Sequence, residues 1–253
     1  GTVNGTHALT IGNNANTTNV TFEKSVGSVN KLASLDVKGN ATANEAISTT
    51  GNIVVGGTAT ITDVTSQNGA ISVTGDATAS GAISARGNIS FGANSIINEV
   101  TSSSGAISFI GDATASGAIS ASGDITFGGN ADVAGVTSQS GVISFDGDAS
   151  ATGAISASGD ITFGKNAIIN EVSSSNGAIS VGGTTSANGN ITSAKSQTFN
   201  GAFTLNNSVT ILAKENTVLF KDTVNGTYAL NIGNNANATN VTFEKSAGST
   251  DVI

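Results

Sequence analysis

From Leu35 onward an apolar residue returns every 18 positions: Leu35, Ile53, Ile71, Ile89, Ile107, Ile125, Ile143, Ile161 and Ile179. Two places further on the same step gives Val37, Val55, Val73, Phe91, Phe109, Phe127, Phe145, Phe163, Val181 and Phe199. An apolar pair at i and i+2 puts both side chains on one face of a strand. Six residues later comes a second pair, such as Ala77 and Ala79, Ser95 and Ile97, or Ala131 and Val133; six more bring a third, such as Ile83 and Ala85. Glycines separate the pairs at Gly69, Gly75 and Gly81, where the chain must turn and a positive φ is expected. Three short strands and three corners make one triangular rung. The pattern predicts an all-β fold, a parallel β-helix (β-solenoid) with three strands per rung of about 18 residues.

A longer period of 36 residues overlies this one, with copies starting at Gly69, Gly105, Gly141 and Gly177. The second strand alternates between small and large residues: Ala79, Ile97, Ala115, Val133, Ala151, Ile169. On a strict 18-residue register the third strand answers in the opposite sense, with Ile83, Ile119 and Ile155 against Thr101, Thr137 and Ser173. Interior volume would thereby stay nearly constant, as close packing demands.

Residues 2–28, "TVNGTHALTIGNNANTTNVTFEKSVGS", return as residues 223–249 with four differences in 27 positions and an offset of 221. In these segments the strand pairs Leu9/Ile11 and Val20/Phe22 are 11 apart, so longer rungs with Asn- and Gly-rich corners are expected. The organisation read from the chain is one continuous solenoid over 1–253. Regular rungs span 33–212, and 1–32 and 222–253 are two copies of a longer-rung segment. The terminal stretches "GTVNGTHALTIG" and "STDVI" both read as strands without a polar cap, a disposition to end-to-end association.

Composition narrows the function. Charged residues make up 10% of the 253, and net charge is −8 with 17 acidic and 9 basic residues. Between Lys38 and Lys165 the only basic residue is Arg86, whereas nucleic-acid affinity rests on arrays of Lys and Arg; neither nucleic acid nor anionic lipid is an expected partner. No apolar run reaches 18 residues, so no membrane insertion is expected in this segment. The absence of Cys removes disulfides and thiol-based metal sites and suits export through an oxidising space. Without Met or a signal peptide, the chain reads as an internal or processed segment.

Candidate chemistry is sparse. The sole His, His7, is replaced by Tyr228 in the second copy, which does not suit a catalytic or metal role. Asp76, Asp112 and Asp148 alternate with Asn94, Asn130 and Asn166 on one corner. Some β-helices cleave polysaccharides with clustered Asp, but this spacing reads as a polar ladder bonding its own backbone. Glu99 and Glu171 share a register with Asp63 and Gly135 and lack the spacing of calcium-binding β-rolls. Ten Asn-x-Ser/Thr sequons occur, at Asn4, Asn16 and Asn19 for instance, as an Asn- and Thr-rich composition produces by chance. The expectation is no catalytic residue, no cofactor and no metal.

Segments such as "GAISASGDITFGGNADVAG" and "VTSQNGAISVTGDATASG" resemble the repeats of filamentous-haemagglutinin-like exoproteins and large autotransporter passengers of Gram-negative bacteria, over most of 33–212. The resemblance implies a right-handed β-helix, a hand that periodicity alone does not fix, exported by type V secretion for adhesion or aggregation. The function expected is a non-enzymatic stalk or passenger segment of a cell-surface or secreted adhesin fibre. Its partner would be a receptor on a host, a surface or a neighbouring cell. The alternative is a self-associating subunit of an extracellular filament or sheath. An ice-binding solenoid ranks third, because Thr101 and Thr137 recur only on alternate rungs and a flat threonine array needs every rung.

Overall fold

A computed structural model describes residues 1–13, 18–214, 217–233 and 239–248. The closing "STDVI" and the sequon asparagine Asn16 lie outside the described residues. The chain forms two compact units, Gly1–Asp124 and Ile125–Ile253, each a parallel β-solenoid with three short strands to a rung.

In the first unit the first strands stack in register as Ala8–Ile11, Ser34–Val37, Ile53–Val55, Ile71–Val73, Ile89–Phe91 and Ile107–Phe109. Leu35, Ile53, Ile71, Ile89 and Ile107 thus form one inward file, and Val37, Val55, Val73, Phe91 and Phe109 another, all buried. In the second unit the same two files run through Ile125, Ile143, Ile161 and Ile179, and through Phe127, Phe145, Phe163, Val181 and Phe199. Identical side chains one strand spacing apart stack face to face. Phe127 and Phe145 lie 4.6 Å apart at 1°, and Phe145 and Phe163 lie 4.9 Å apart at 2°. Each ring is held at the distance that the β-ladder imposes on its backbone.

The corner glycines owe their place to crowding between rungs. Positive φ occurs at Gly12, Gly27, Gly226, Gly233 and Gly248, and not at Gly69, Gly75 or Gly81. A Cβ on Gly69 would sit 2.5 Å from the Asn52 nitrogen, and one on Gly75 would sit 2.8 Å from the Gly57 carbonyl carbon. Stacked corners approach more closely than any side chain permits.

The 36-residue period has a different cause from volume compensation. Ile83 pairs with Val100, and Ser84 pairs with Thr101, so Thr101 faces outward and Val100 takes the inward place. Thr137 and Ser173 are outward for the same reason, beside Val136 and Val172. Rungs of two kinds alternate. Where the second strand ends in Ala, the third begins four residues on (Ala79 to Ile83, Ala115 to Ile119). Where it ends in Ile or Val, the gap is three (Ile97 to Val100, Val133 to Val136). The lost residue is returned at the following corner, and 18 is preserved.

A serine closes each lengthened corner. After an Ala-type rung the next glycine bonds directly to the rung before, as Gly87 N–H does to Gly69 O at 2.8 Å and Gly123 N–H to Gly105 O at 2.9 Å. After the other kind a buried hydroxyl stands between. Gly105 N–H donates to Ser102 Oγ at 3.0 Å, which donates to Gly87 O at 2.8 Å. Ser66 and Ser174 make the same relay, and Ser138 accepts from Gly141 N–H at 3.0 Å. An unpaired N–H and C=O inside such a corner would cost about 1–3 kcal/mol each, which explains a polar residue recurring there every 36 positions.

The two long-rung segments share a local path and differ in face. Val3 N–H bonds Ser25 O at 3.2 Å, and Val224 N–H bonds Ser246 O at 3.2 Å. Gly12 and Gly233 have φ of 89° and 83°; Gly27 and Gly248 have 73° and 71°. Yet Ala8–Ile11 pairs with a first strand, Ser34–Val37, whereas its counterpart Leu230–Ile232 pairs with the third strand Val209–Ala213. Likewise Asn19–Phe22 stacks on a second strand and Asn240–Phe243 on a first. Because 221 is not a multiple of 18, the same sequence returns one face later.

Candidate functional site

The predicted polar corner is a ladder of side chain to backbone bonds. Asp76 Oδ1 accepts Asn94 N–H at 3.1 Å, and Asn94 Oδ1 accepts Asp112 N–H at 3.0 Å. In the second unit Asn130, Asp148 and Asn166 hold the N–H groups of Asp148, Asn166 and Thr184 at 3.0, 3.1 and 2.9 Å. Asp and Asn are interchangeable here because only the accepting oxygen is used. A second corner does the same with Asn52, Asn88 and Asp160, which hold Ala70, Ala106 and Ala178.

Other candidates stay apart. Asp63 Oδ1 accepts Ala82 N–H at 2.8 Å, and Glu99 lies in register on the other side of Ala82. Two strand spacings, about 9.6 Å, separate these acids, and one calcium ion with oxygens at about 2.3–2.6 Å cannot bridge them. Glu171 pairs with Ala154 in the second unit, and Gly135 carries no side chain there. Among the described residues no group of three or more His, Asp or Glu side chains converges on a metal position. His7 and Tyr228 are both exposed, and no helix is long and apolar enough to cross a membrane.

Three exposed lysines carry ion pairs: Lys24 with Glu45 at 2.9 Å, Lys38 with Asp36 at 2.6 Å and Lys245 with Asp222 at 2.9 Å. The Lys24 hydrogen bond, with help from Ser25 N–H, holds the Glu45 carboxyl below the usual range. The Lys245 hydrogen bond, then Thr223 N–H, does the same for Asp222.

The outward faces carry hydroxyls. On the second-strand face of the first unit Thr21, Thr42, Thr60, Thr78, Ile96 and Thr114 stand in one file. Threonine therefore occupies successive rungs on this face, interrupted by Ile96, rather than alternate rungs as Thr101 and Thr137 suggest. The file is one residue wide. In the second unit the third-strand file Thr137, Ser156, Ser173 and Thr192, with Gln139 and Lys214 at the next corner, lines an open depression of about 310 Å³.

Two polar elements escape the sequence pattern. The relay serines read as loop residues in "TSQNG" and "TSSSG", although their strict 36-residue recurrence was a visible signal. Gln197 occupies the isoleucine file between Ile179 and Val218 and is fully buried. Its Nε2 donates to Leu212 O at 2.9 Å and Ser193 Oγ at 3.0 Å. It plugs the core where the spacing lengthens, Ile191 pairing with Ile211.

These features define a parallel β-solenoid repeat protein whose polar groups chiefly serve the stacking of its own rungs. Comparison with protein-family models, with curated proteins and with solved structures finds no match.

Proposed function

We propose that this chain is a non-enzymatic segment of a long adhesin fibre, of the filamentous-haemagglutinin-like or autotransporter kind, standing outside the cell or on its surface. One observation carries the reading. The acids that sequence alone offered for catalysis, Asp76 and Asp148 above all, each hold a backbone N–H of the neighbouring rung. They act as structure. The outward hydroxyl files offer a long surface of weak, repeated contacts to a receptor on a host or a neighbouring cell.

The test is adhesion. Beads coated with the chain should bind cells or aggregate them, while the soluble chain releases no product from pectin-like or sialic-acid polymers. Turnover that disappears in Asp148→Asn would overturn the non-enzymatic reading. Chain-to-chain association without any cell binding would favour a filament or sheath subunit instead.

A further inference from the structure

The hydroxyl-lined depression of the second unit differs from the rest of this acidic surface. No carboxylate lines it, although acids outnumber basic residues 17 to 9 in the chain. Lys214 stands at its border, and among the described residues no acid pairs with it. Thr137, Gln139 and Thr192 have no side-chain hydrogen bond to other described residues. Ser173 Oγ donates to Ser156 Oγ at 3.2 Å, which leaves the Ser156 proton free to donate outward. The groove thus presents donors and acceptors one strand spacing apart, about 4.8 Å, with a single cation beside them.

We propose that this groove binds a linear glycan bearing carboxylates, a uronic-acid polymer. Lys214 Nζ meets a carboxylate, and the Thr137, Ser156 and Thr192 hydroxyls bond the sugar hydroxyls. A neutral glycan would leave the cation unused, and the absence of lining acids removes the repulsion that a polyanion meets on the corners carrying Asp146, Asp148 and Asp160. The inference rests on the adhesive reading and names its ligand class.

The experiment titrates the native chain with an oligoalginate and with a neutral cello-oligosaccharide of equal length, in low salt. The oligoalginate should bind, and the neutral oligomer should not. Lys214→Gln should weaken binding about three- to fivefold, the scale of one exposed ion pair. Lys165→Gln, on the corner between first and second strands, should leave it unchanged. Absence of oligoalginate binding, equal affinity for the neutral oligomer, or identical losses in the two variants would each overturn the proposal. Adhesive beads without oligoalginate binding would remove this inference alone; oligoalginate binding without adhesion would remove the adhesin reading.

Discussion

At the residue scale, the inward phenylalanines and the relay serines do different work. Phe145 is fully buried between Phe127 and Phe163. Phe145→Ala should cost about 3–5 kcal/mol, read as a lowered midpoint in denaturant unfolding. Ser102→Ala removes one donor and one acceptor from a buried corner and should cost about 1–3 kcal/mol. Thr101→Val, next door but outward, should stay within about 0.5 kcal/mol. An equal loss for Thr101→Val would place its side chain inside. Glycine sites sort by crowding. A Cβ at Gly105 would meet Asn88 Oδ1 at 2.5 Å, and one at Gly123 would meet Gly105 O at 3.3 Å. Gly105→Ala should therefore lower the melting temperature more than Gly123→Ala.

At the element scale, the first-strand files were fully legible, because Ile and Phe at i and i+2 every 18 residues admit one register. The third strand was not. Shortening one corner and lengthening the next leaves the 18-residue count unchanged, so the sum conceals the shift, and Thr101 fell where Val100 belongs. Gln197 escaped for a related reason: a polar residue in an apolar file reads as the end of the file. The candidate corner was legible in its residues and its role, since alternating Asp and Asn with no basic neighbour points to backbone acceptors. Crowding at the corner glycines could not be read, because it depends on the rung beneath.

At the scale of the whole molecule, protection from hydrogen exchange should follow burial. Amides of Ile107–Phe109 and Ile143–Phe145, in ladders bonded on both sides, should exchange slowest. Those of Asn240–Phe243, where all four residues are exposed, should exchange far sooner. Acid should act first on the long-rung segments. Glu45 and Asp222 have carboxyls held below their ordinary values of 4.5 and 3.8. Their contribution is present above those values and is lost as pH falls through the lower folded ones. Exchange near Lys24 and Lys245 should therefore quicken below about pH 4, while the uncharged core between them holds. A uniform response to acid along the chain would contradict that assignment.

The central claim is that two kinds of rung alternate, so that some neighbours along a face are 17 residues apart and not 18. The chain contains no Cys, which makes paired cysteines a clean probe. Strand neighbours about 4.8 Å apart fall within the Cα separation of about 4.4–6.8 Å that a disulfide accepts. Ser84→Cys with Thr101→Cys, neighbours in register, should crosslink under mild oxidation. Ser84→Cys with Ser102→Cys, one outward and one buried, should not. Closure of the second pair and failure of the first would restore a strict 18-residue register and contradict the account.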